Sequence, residues 1–591
     1  MRNALEMNEI EEIAAKWGVE KGYHDVFGTW HPANPQTLQH LIAMLSAGGP
    51  AGQTPPVTEG SGERAFQGNG NRVWGIATQL YALRSRSNWG HGDFGDLKRL
   101  VTIAAESGAS AIGLNPLHAL FPDRPEQASP YAPNSRLFLN VLYIDVAAIP
   151  EFPGADVAGL SADIAAQRQP GLIDHSGAAR VKLAGLRAAY ERFGLSAPAS
   201  RQTDFESFRE ECGESLLRFA CFEVLRQKHT TSWLKWPQPW RNPDRATLEG
   251  FRDANRKECE FREFMQWVAA RQLQDCQNEA RERGMSIGLY TDIAVGVDPN
   301  GADAWSRQEA VLAEFSIGAP PDEFNPAGQD WGLAPFNPHT MATNDFEPVR
   351  HLLRAAMRYA GAVRMDHVLG LNRMFLVPHG RPATEGVYVR YPFEDLLRVI
   401  ADESNRAQCI VIGEDLGTVP HGFREALARR GMWTYRVMLF EREGDGRFRA
   451  PEHYPAEAVA TFNTHDLPTF RGWLTGSDLR TKRAIGIDPG ETEEARARSR
   501  EALGWILAER AGDHPSDKLA AAAAVLAQTP CLLVTVGLDD ILDVVEQINI
   551  PGTVDQHPNW RRKIPVDIEN LADQEGFKHV VHVFQRAGRA T

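Results

Sequence analysis

Apolar residues fall along this chain in two alternating rhythms. Short, nearly unbroken apolar runs occur at "VWGIATQL" (73–80), "ASAIGLN" (109–115), "SIGLYTD" (286–292) and "GAVRMDH" (361–367). They recur at "IVIGED" (410–415), "TYRVMLF" (434–440), "AVATFNTHD" (458–466) and "LLVTVGLDD" (532–540). Runs of this length bounded by Gly, Asn or Asp read as buried strands. Between several of them the apolar positions spread to helical spacing, as in "FEPVRHLLRAAMRYAG" and "FEDLLRVIADESNRA". Strands separated by amphipathic helices predict βα units and a parallel sheet. Eight such strands over this length predict an α/β fold of the TIM-barrel type, a (β/α)8 barrel rather than an open sheet.

Outside that rhythm the chain divides further. Residues 1–48, around "YHDVFGTWHPANPQTLQHLIAMLSAGG", read as a small helical segment. Residues 49–72 are rich in Gly, Pro and small polar residues with few apolar anchors, the composition of a linker. The catalytic barrel then occupies 73–591, with two intervals too long for simple crossovers. Residues 146–285 carry long helical patterns, whereas 296–345, rich in Pro, Gly and Trp, read as a large loop at the barrel mouth.

Composition narrows the class. The chain has 591 residues, 43% hydrophobic and 24% charged, an ordinary globular composition. A formal net charge of −14 argues against a nucleic-acid binder, which would present a basic face. No apolar run reaches the ~18 residues a membrane helix needs, and the acidic, amphipathic start lacks the pattern of a signal peptide. The six cysteines show no metal-type spacing and read as reduced, mostly buried thiols of a cytoplasmic protein.

Four of the predicted strands finish on or beside an acid: Asp292, Asp366, Glu414 and Asp466. Acids also cap the helices that follow strands, so each one alone has a structural explanation. In a (β/α)8 barrel, however, all C-terminal strand ends open onto one face, which bears the active site. Carboxylates clustered there repel, so one tends to stay protonated while another ionises, a division suited to a glycosidic bond. Arg364 precedes Asp366 by two, so on a strand both face the same way and the guanidinium favours an ionised nucleophile. Glu414 follows an apolar run whose desolvation would raise its pKa toward that of a general acid. Adjacent Asp415 would point to the other face, to hold the following turn or support the cleft from behind. His465 and Asp466, at a strand-to-loop transition, could bond sugar hydroxyls, although a structural histidine is an equal reading. In "GAPPDEFNPAGQDWGLAPFNP" (318–338), Trp331 could pack on the apolar face of a sugar ring, with Asp322, Asn325 and Gln329 as hydroxyl partners. Anchoring the loop on the barrel is the plainer role for that tryptophan.

From about residue 73 to the C-terminus the chain resembles the amylomaltases, 4-alpha-glucanotransferases of glycoside hydrolase family 77. The resemblance is carried by "LRSRSNWGHGDFGDL", "NPLHALFP", "SPYAPNSRLFLN", "GAPPDEFNPAGQDWG", "VRMDHV", "GVYVRYPFEDLL", "VIGEDLGTVP", "THDLPTF" and "NIPGT…HPNWRRK", in that order. It implies retaining double displacement on α-1,4-glucans, with maltodextrins as donors and glucose or maltodextrin as acceptor. By motif position Asp366 is the nucleophile, Glu414 the general acid/base and Asp466 the transition-state stabiliser. Asp292, Arg364 and His465 fall where the family holds the sugar at the cleavage point. Ser129 and Tyr131 of "SPY" match glucan-contacting positions, Gln329 and Trp331 the loop over the acceptor side, and Asn549 another cleft residue. The family uses no cofactor and no metal. Met365 stands where it usually carries isoleucine, a volume-conserving change. Many bacterial relatives have a β-rich module between the first segment and the barrel, for which 49–72 is too short.

Three rivals remain on the sequence. An amylase-type hydrolase shares the glycosyl-enzyme and differs only in using water. A non-catalytic glucan-binding protein would be expected to lack one of Asp366, Glu414 and Asp466, and all are present. A barrel acting on phosphorylated sugars would want a Gly-rich phosphate loop late in the chain, where "VGLDDILD" is acidic instead.

Overall fold

The computed structural model describes residues 2–24, 28–46, 63–321, 327–511 and 517–590. All eight expected strands form: β1 (Val73–Thr78), β2 (Ala111–Leu114), β3 (Gly288–Ile293), β4 (Ala362–Met365), β5 (Ile410–Gly413), β6 (Trp433–Val437), β7 (Ala458–Thr461) and β8 (Leu533–Gly537). They are parallel, lie in sequence order and close when β8 pairs with β1 from Leu533↔Val73 to Gly537↔Ala77. Side-chain alternation divides each strand. Tyr290, Ala362, Ile410, Ile412 and Tyr435 fill the barrel interior. Val363 and Val411 face outward onto the helices, with Leu353 and Leu397. Continuing the inward stripe by two residues leads from Tyr290 to Asp292, from Arg364 to Asp366 and from Ile412 to Glu414.

The strands are shorter than the expected runs, and three of them show how the chain leaves the ladder. The segment 361–367 leaves the ladder after Met365, and 434–440 turns into a 3-10 helix at Met438–Phe440. The run 458–466 stops at Thr461, so Asp466 reaches the mouth on a turn instead. There the Asn463 side chain donates to the Pro468 carbonyl (2.8 Å), and the Leu467 amide to Thr464 O (3.1 Å). Such side-chain bonds compete with the sheet for backbone groups. Between β6 and β7 the crossover has no α-helix, only two 3-10 turns.

The interval 146–285 is helical as expected, dominated by His175–Ser196, Ala199–Lys228 and Arg256–Glu282. The interval 296–345 is not simply a loop. It supplies strands Phe315–Ala319 and Gln329–Leu333 to a four-stranded antiparallel sheet completed by Arg373–Pro378 and Val387–Arg390 from beyond β4. The N-terminal segment is likewise not wholly helical. Helices Arg2–Lys16 and Pro35–Ser46 flank a hairpin of Gly22–His24 and Trp30–Pro32. It covers the outer strand of that sheet: Arg390 N donates to Gly18 O and Glu20 N to Tyr388 O, both at 2.9 Å. A covered edge cannot template pairing with another chain. Of the expected linker, 49–62 lies outside the described residues. The rest is pinned to the barrel wall, with Ala65 N on Arg430 O (2.7 Å) and Phe66 N on Ser404 Oγ (3.0 Å). All six cysteines are free thiols, five of them buried.

The barrel seam is locked from below by Arg589, which is fully buried. Its guanidinium donates to the carbonyls of Ala527 (2.8 Å) and Cys531 (2.8 Å) ahead of β8, and to Val73 O (3.2 Å) on β1. Arg589→Met strands these carbonyls without donors. We expect it to lower unfolding stability by ~2–4 kcal/mol, the scale of bonds to a charged group plus unsatisfied acceptors, read as a lower denaturant midpoint.

Candidate active site

The four expected acids reach the mouth from separate places: Asp292 on β3, Asp366 and Glu414 just past β4 and β5, and Asp466 on the turn after β7. Arg364, buried on β4, reaches sideways to Asp292 on β3 with Nη1 at 2.8 and 2.7 Å from its two oxygens. The register puts these residues directly opposite one another. The same nitrogen lies 3.0 Å from Asp366 Oδ1, so one guanidinium bridges two carboxylates. On the other side β4 pairs with β5 through Met365↔Gly413. Asp366 and Glu414 therefore stand side by side, one residue beyond paired positions on strands ~4.8 Å apart.

Glu414 is buried, and among the described residues no cation forms an ion pair with it. Its Oε2 accepts the His367 amide and its Oε1 the Leu416 amide, both at 2.9 Å. Burial dominates, opposed by Arg364 and reinforced by the nearby Asp366 charge, and pushes its carboxyl up to about 7. Asp415 turns away from the cleft, fully buried. It accepts from Arg424 Nε (2.6 Å), Arg436 Nη1 (3.1 Å) and the Tyr435 amide (2.9 Å), tying the end of β5 to β6 from behind.

A second chain of bonds crosses the mouth. Tyr131 donates its hydroxyl to Asp292 Oδ2 at 2.6 Å and receives His465 Nδ1 at 3.2 Å. The two rings stack at 4.6 Å. His465 Nε2 lies 3.3 Å from Asp466 Oδ2, and Asn549 Nδ2 donates to Asp466 Oδ1 at 2.6 Å. Burial alone would lower the His465 pKa, but Asp466 outweighs it and the net shift is upward. This agrees with the geometry: the tyrosine oxygen already gives its proton to Asp292, so both imidazole nitrogens act as donors. Against burial, which would raise it, Asp466 is held below its ordinary value by His465 and Asn549. Asp292 moves the other way, burial exceeding the pull of Arg364.

The remaining sequence-derived positions fall into place around these two chains. Trp331 lies on the strand Gln329–Leu333, donates its indole N–H to Gln329 Oε1 (3.1 Å) and meets the His367 ring edge-on at 5.1 Å. Ser129 sits half-buried on the Tyr131 loop, where its carbonyl accepts the Ala132 amide. Asp322 and Asn325 lie outside the described residues. Sequence reasoning missed three participants. His367 links Glu414 to Trp331. Gln547 donates to both Asp466 O and Asn549 O. Trp560 packs 5.6 Å from Tyr131 and 5.5 Å from His465. The last two sit inside "QINIPGT…HPNW", where proximity to Asn549 was the available signal. Among the described residues no group of three or more His, Cys, Asp or Glu side chains is arranged to hold a metal ion.

The sequence profile of the 4-alpha-glucanotransferases, glycoside hydrolase family 77, matches residues 78–568. The chain belongs to this family. Relatives named 4-alpha-glucanotransferase include one from Mycobacterium tuberculosis, 37% identical over 83% of this chain and 71% of that protein. Another, from Haemophilus influenzae, is 34% identical over 92% of this chain and 81% of its own length. Among solved structures, the amylomaltase of Corynebacterium glutamicum superposes with a TM-score of 0.81 at 26% identity, covering 97% of this chain and 99% of that one. An amylomaltase from Streptococcus agalactiae in complex with acarbose shares the fold, with a TM-score of 0.72 at 19% identity over 88% of this chain and 100% of that one.

Arg364→Met leaves the buried Asp292 and the half-buried Asp366 together without their cation. Breaking a buried pair in this way costs about 3–5 kcal/mol. Denaturant unfolding should record that loss, and Arg364→Lys, which keeps the charge, should recover part of it.

Proposed function

We propose that this 4-alpha-glucanotransferase cleaves and re-forms α-1,4 bonds by double displacement, with Asp366 as nucleophile, Glu414 as general acid/base and Asp466 as stabiliser. The observation that carries the assignment is the unequal treatment of two neighbouring carboxyls. Asp366 sits against Arg364, whereas Glu414 has only backbone amides and is held protonated toward neutrality. An Asp366 oxygen attacks the anomeric carbon while Glu414 protonates the departing glycosidic oxygen. The bond from the anomeric carbon to the leaving sugar breaks as the glycosyl-enzyme ester forms. An acceptor hydroxyl then gives its proton to Glu414 and attacks the same carbon, releasing Asp366. Two inversions give net retention. The adjacent strand ends that bear the pair suit the ~5 Å separation of retaining enzymes. Asp466, His465 and Asp292 hold the ring hydroxyls as positive charge develops at the anomeric centre, and Tyr131 keeps them in register.

Maltodextrins serve as donors and glucose or shorter maltodextrins as acceptors, in cytoplasmic α-glucan metabolism. Trp331 and Gln329 line the acceptor side, and Ser129 and Asp322 contribute to glucan binding. The N-terminal segment serves as a cover for the acceptor-side sheet, through the bonds of Gly18 and Glu20 to its outer strand.

Maltotriose as sole substrate tests the reaction. The expected outcome is a ladder of longer maltodextrins alongside glucose with total reducing ends constant. Glucose and maltose alone, with reducing ends rising, would mean hydrolysis and refute the transfer assignment.

The pH profile tests the acid. Glu414 must enter protonated, and its carboxyl lies at about 7, so kcat/KM should fall tenfold per pH unit above that value. Glu414→Gln should cost ~10²–10⁴-fold in turnover, the usual weight of general acid catalysis. A variant with near-normal activity would sink the assignment.

A further inference from the structure

His367 immediately follows the nucleophile and adopts φ +46, a left-handed conformation uncommon for residues other than glycine. Strain of this kind persists where the surroundings over-determine it, which occurs disproportionately at functional sites. Two contacts supply the determination here. The His367 backbone N–H donates to Glu414 Oε2 at 2.9 Å. Its ring meets Trp331 at 5.1 Å with the planes at 88°. Trp331 is in turn fixed on its strand by the bond from its indole N–H to Gln329. An extended backbone at 367 would break one contact or the other, since the left-handed turn is what aims the amide at Glu414 while the side chain projects to the mouth sheet.

We infer that His367 is a positioning residue that couples occupancy of the acceptor side to the general acid/base, and so biases the glycosyl-enzyme toward sugar acceptors over water. The inference rests on the roles proposed above for Glu414 and Trp331. A sugar seated against Trp331 presses on the imidazole and holds the 367 peptide where its N–H meets Glu414. That is the oxygen-bearing group that must accept the proton of the attacking hydroxyl in the second step. Water arriving alone makes no contact with the indole face and gains none of this alignment. Burial lowers the His367 pKa, so the ring is neutral and packs as an uncharged partner of the indole.

The test uses the full-length enzyme and two substitutions that separate ring from backbone. His367→Gly keeps a residue that accepts positive φ, and with it the amide on Glu414, but deletes the ring. We expect the acceptor KM to rise and the ratio of transfer to hydrolysis on maltotriose to fall by roughly threefold to thirtyfold, the range of coupling between residues in contact. His367→Val disfavours the left-handed turn and withdraws the amide. That bond lowers the Glu414 pKa, so its loss should move the alkaline limb of kcat/KM to higher pH. A double-mutant cycle with Trp331→Ala decides the route. If the ring acts through the indole, the pair costs little more than Trp331→Ala alone. Additive effects, or an unchanged transfer ratio in His367→Gly, would overturn the inference, as would an unshifted alkaline limb in a folded His367→Val. Glu414→Gln run in parallel separates the two levels. An active Glu414→Gln refutes the underlying roles, whereas an inactive one beside wild-type-like His367 variants refutes the coupling alone.

Discussion

One guanidinium sets the electrostatics of this site. Closing eight parallel strands brings Asp292, Asp366, Glu414 and Asp466 to the same mouth, where like charges in a partly dehydrated space disfavour one another. Arg364 is the cation built into the interior stripe among them, and it lowers the proton affinity of Asp292, Glu414 and Asp466 alike. What differs is distance. Asp292 and Asp366 touch it, while Glu414 is left to backbone amides and to burial. Asp366 thus has the cation at 3.0 Å, while Glu414, which Arg364 does not touch, is governed by burial and pushed up to about 7. Asp466, nearly half exposed at its side chain, relies on His465 and Asn549 instead.

Such an arrangement works only if the strand ends cannot move, and the protein fixes them from outside the cleft. Asp415 shows how. It carries full burial without water, balanced by Arg424 and Arg436, and its bond to the Tyr435 amide couples β5 to β6 one residue behind Glu414. On the opposite wall Trp560, also in a left-handed conformation, wedges its ring against both Tyr131 and His465. Backbone strain therefore occurs on both sides of the mouth, at residues whose rings or amides touch the working groups.

The barrel was legible because strands covered on both faces read as continuous apolar runs. Its four acids were legible because each interrupts such a run at the end that opens on the active face. Asp466 shows the limit of that logic. It belongs to the site, but a turn and not β7 delivers it, and its bond to Asn549 spans 83 residues that no local pattern could join. The mouth sheet escaped for the same reason. Its strands come from two insertions, and only their mutual pairing stabilises them, so 296–345 had the composition of a loop. The N-terminal segment looked helical because its hairpin arms are only three residues each and its pairing with Val387–Arg390 joins positions far apart in sequence. His367 stood in plain sight beside Asp366, yet nothing in its neighbours announced a positive φ.

The layout also bears on how one set of carboxylates can serve transfer in preference to hydrolysis. Water and a sugar hydroxyl attack the same carbon and use the same base, so the barrel core cannot tell them apart. Discrimination has to come from groups that touch only the larger acceptor, and the proposed ones, Gln329 and Trp331, lie on the four-stranded sheet outside the barrel. That sheet has two outer strands. The N-terminal segment pairs with Val387–Arg390 at one side, leaving Gln329–Leu333, with Trp331, as the free strand facing the mouth. Covering one edge stiffens the sheet on which the other is displayed. On the proposed roles, a segment with no catalytic group would in this way bear on the fate of the glycosyl-enzyme, through the sheet that carries Trp331.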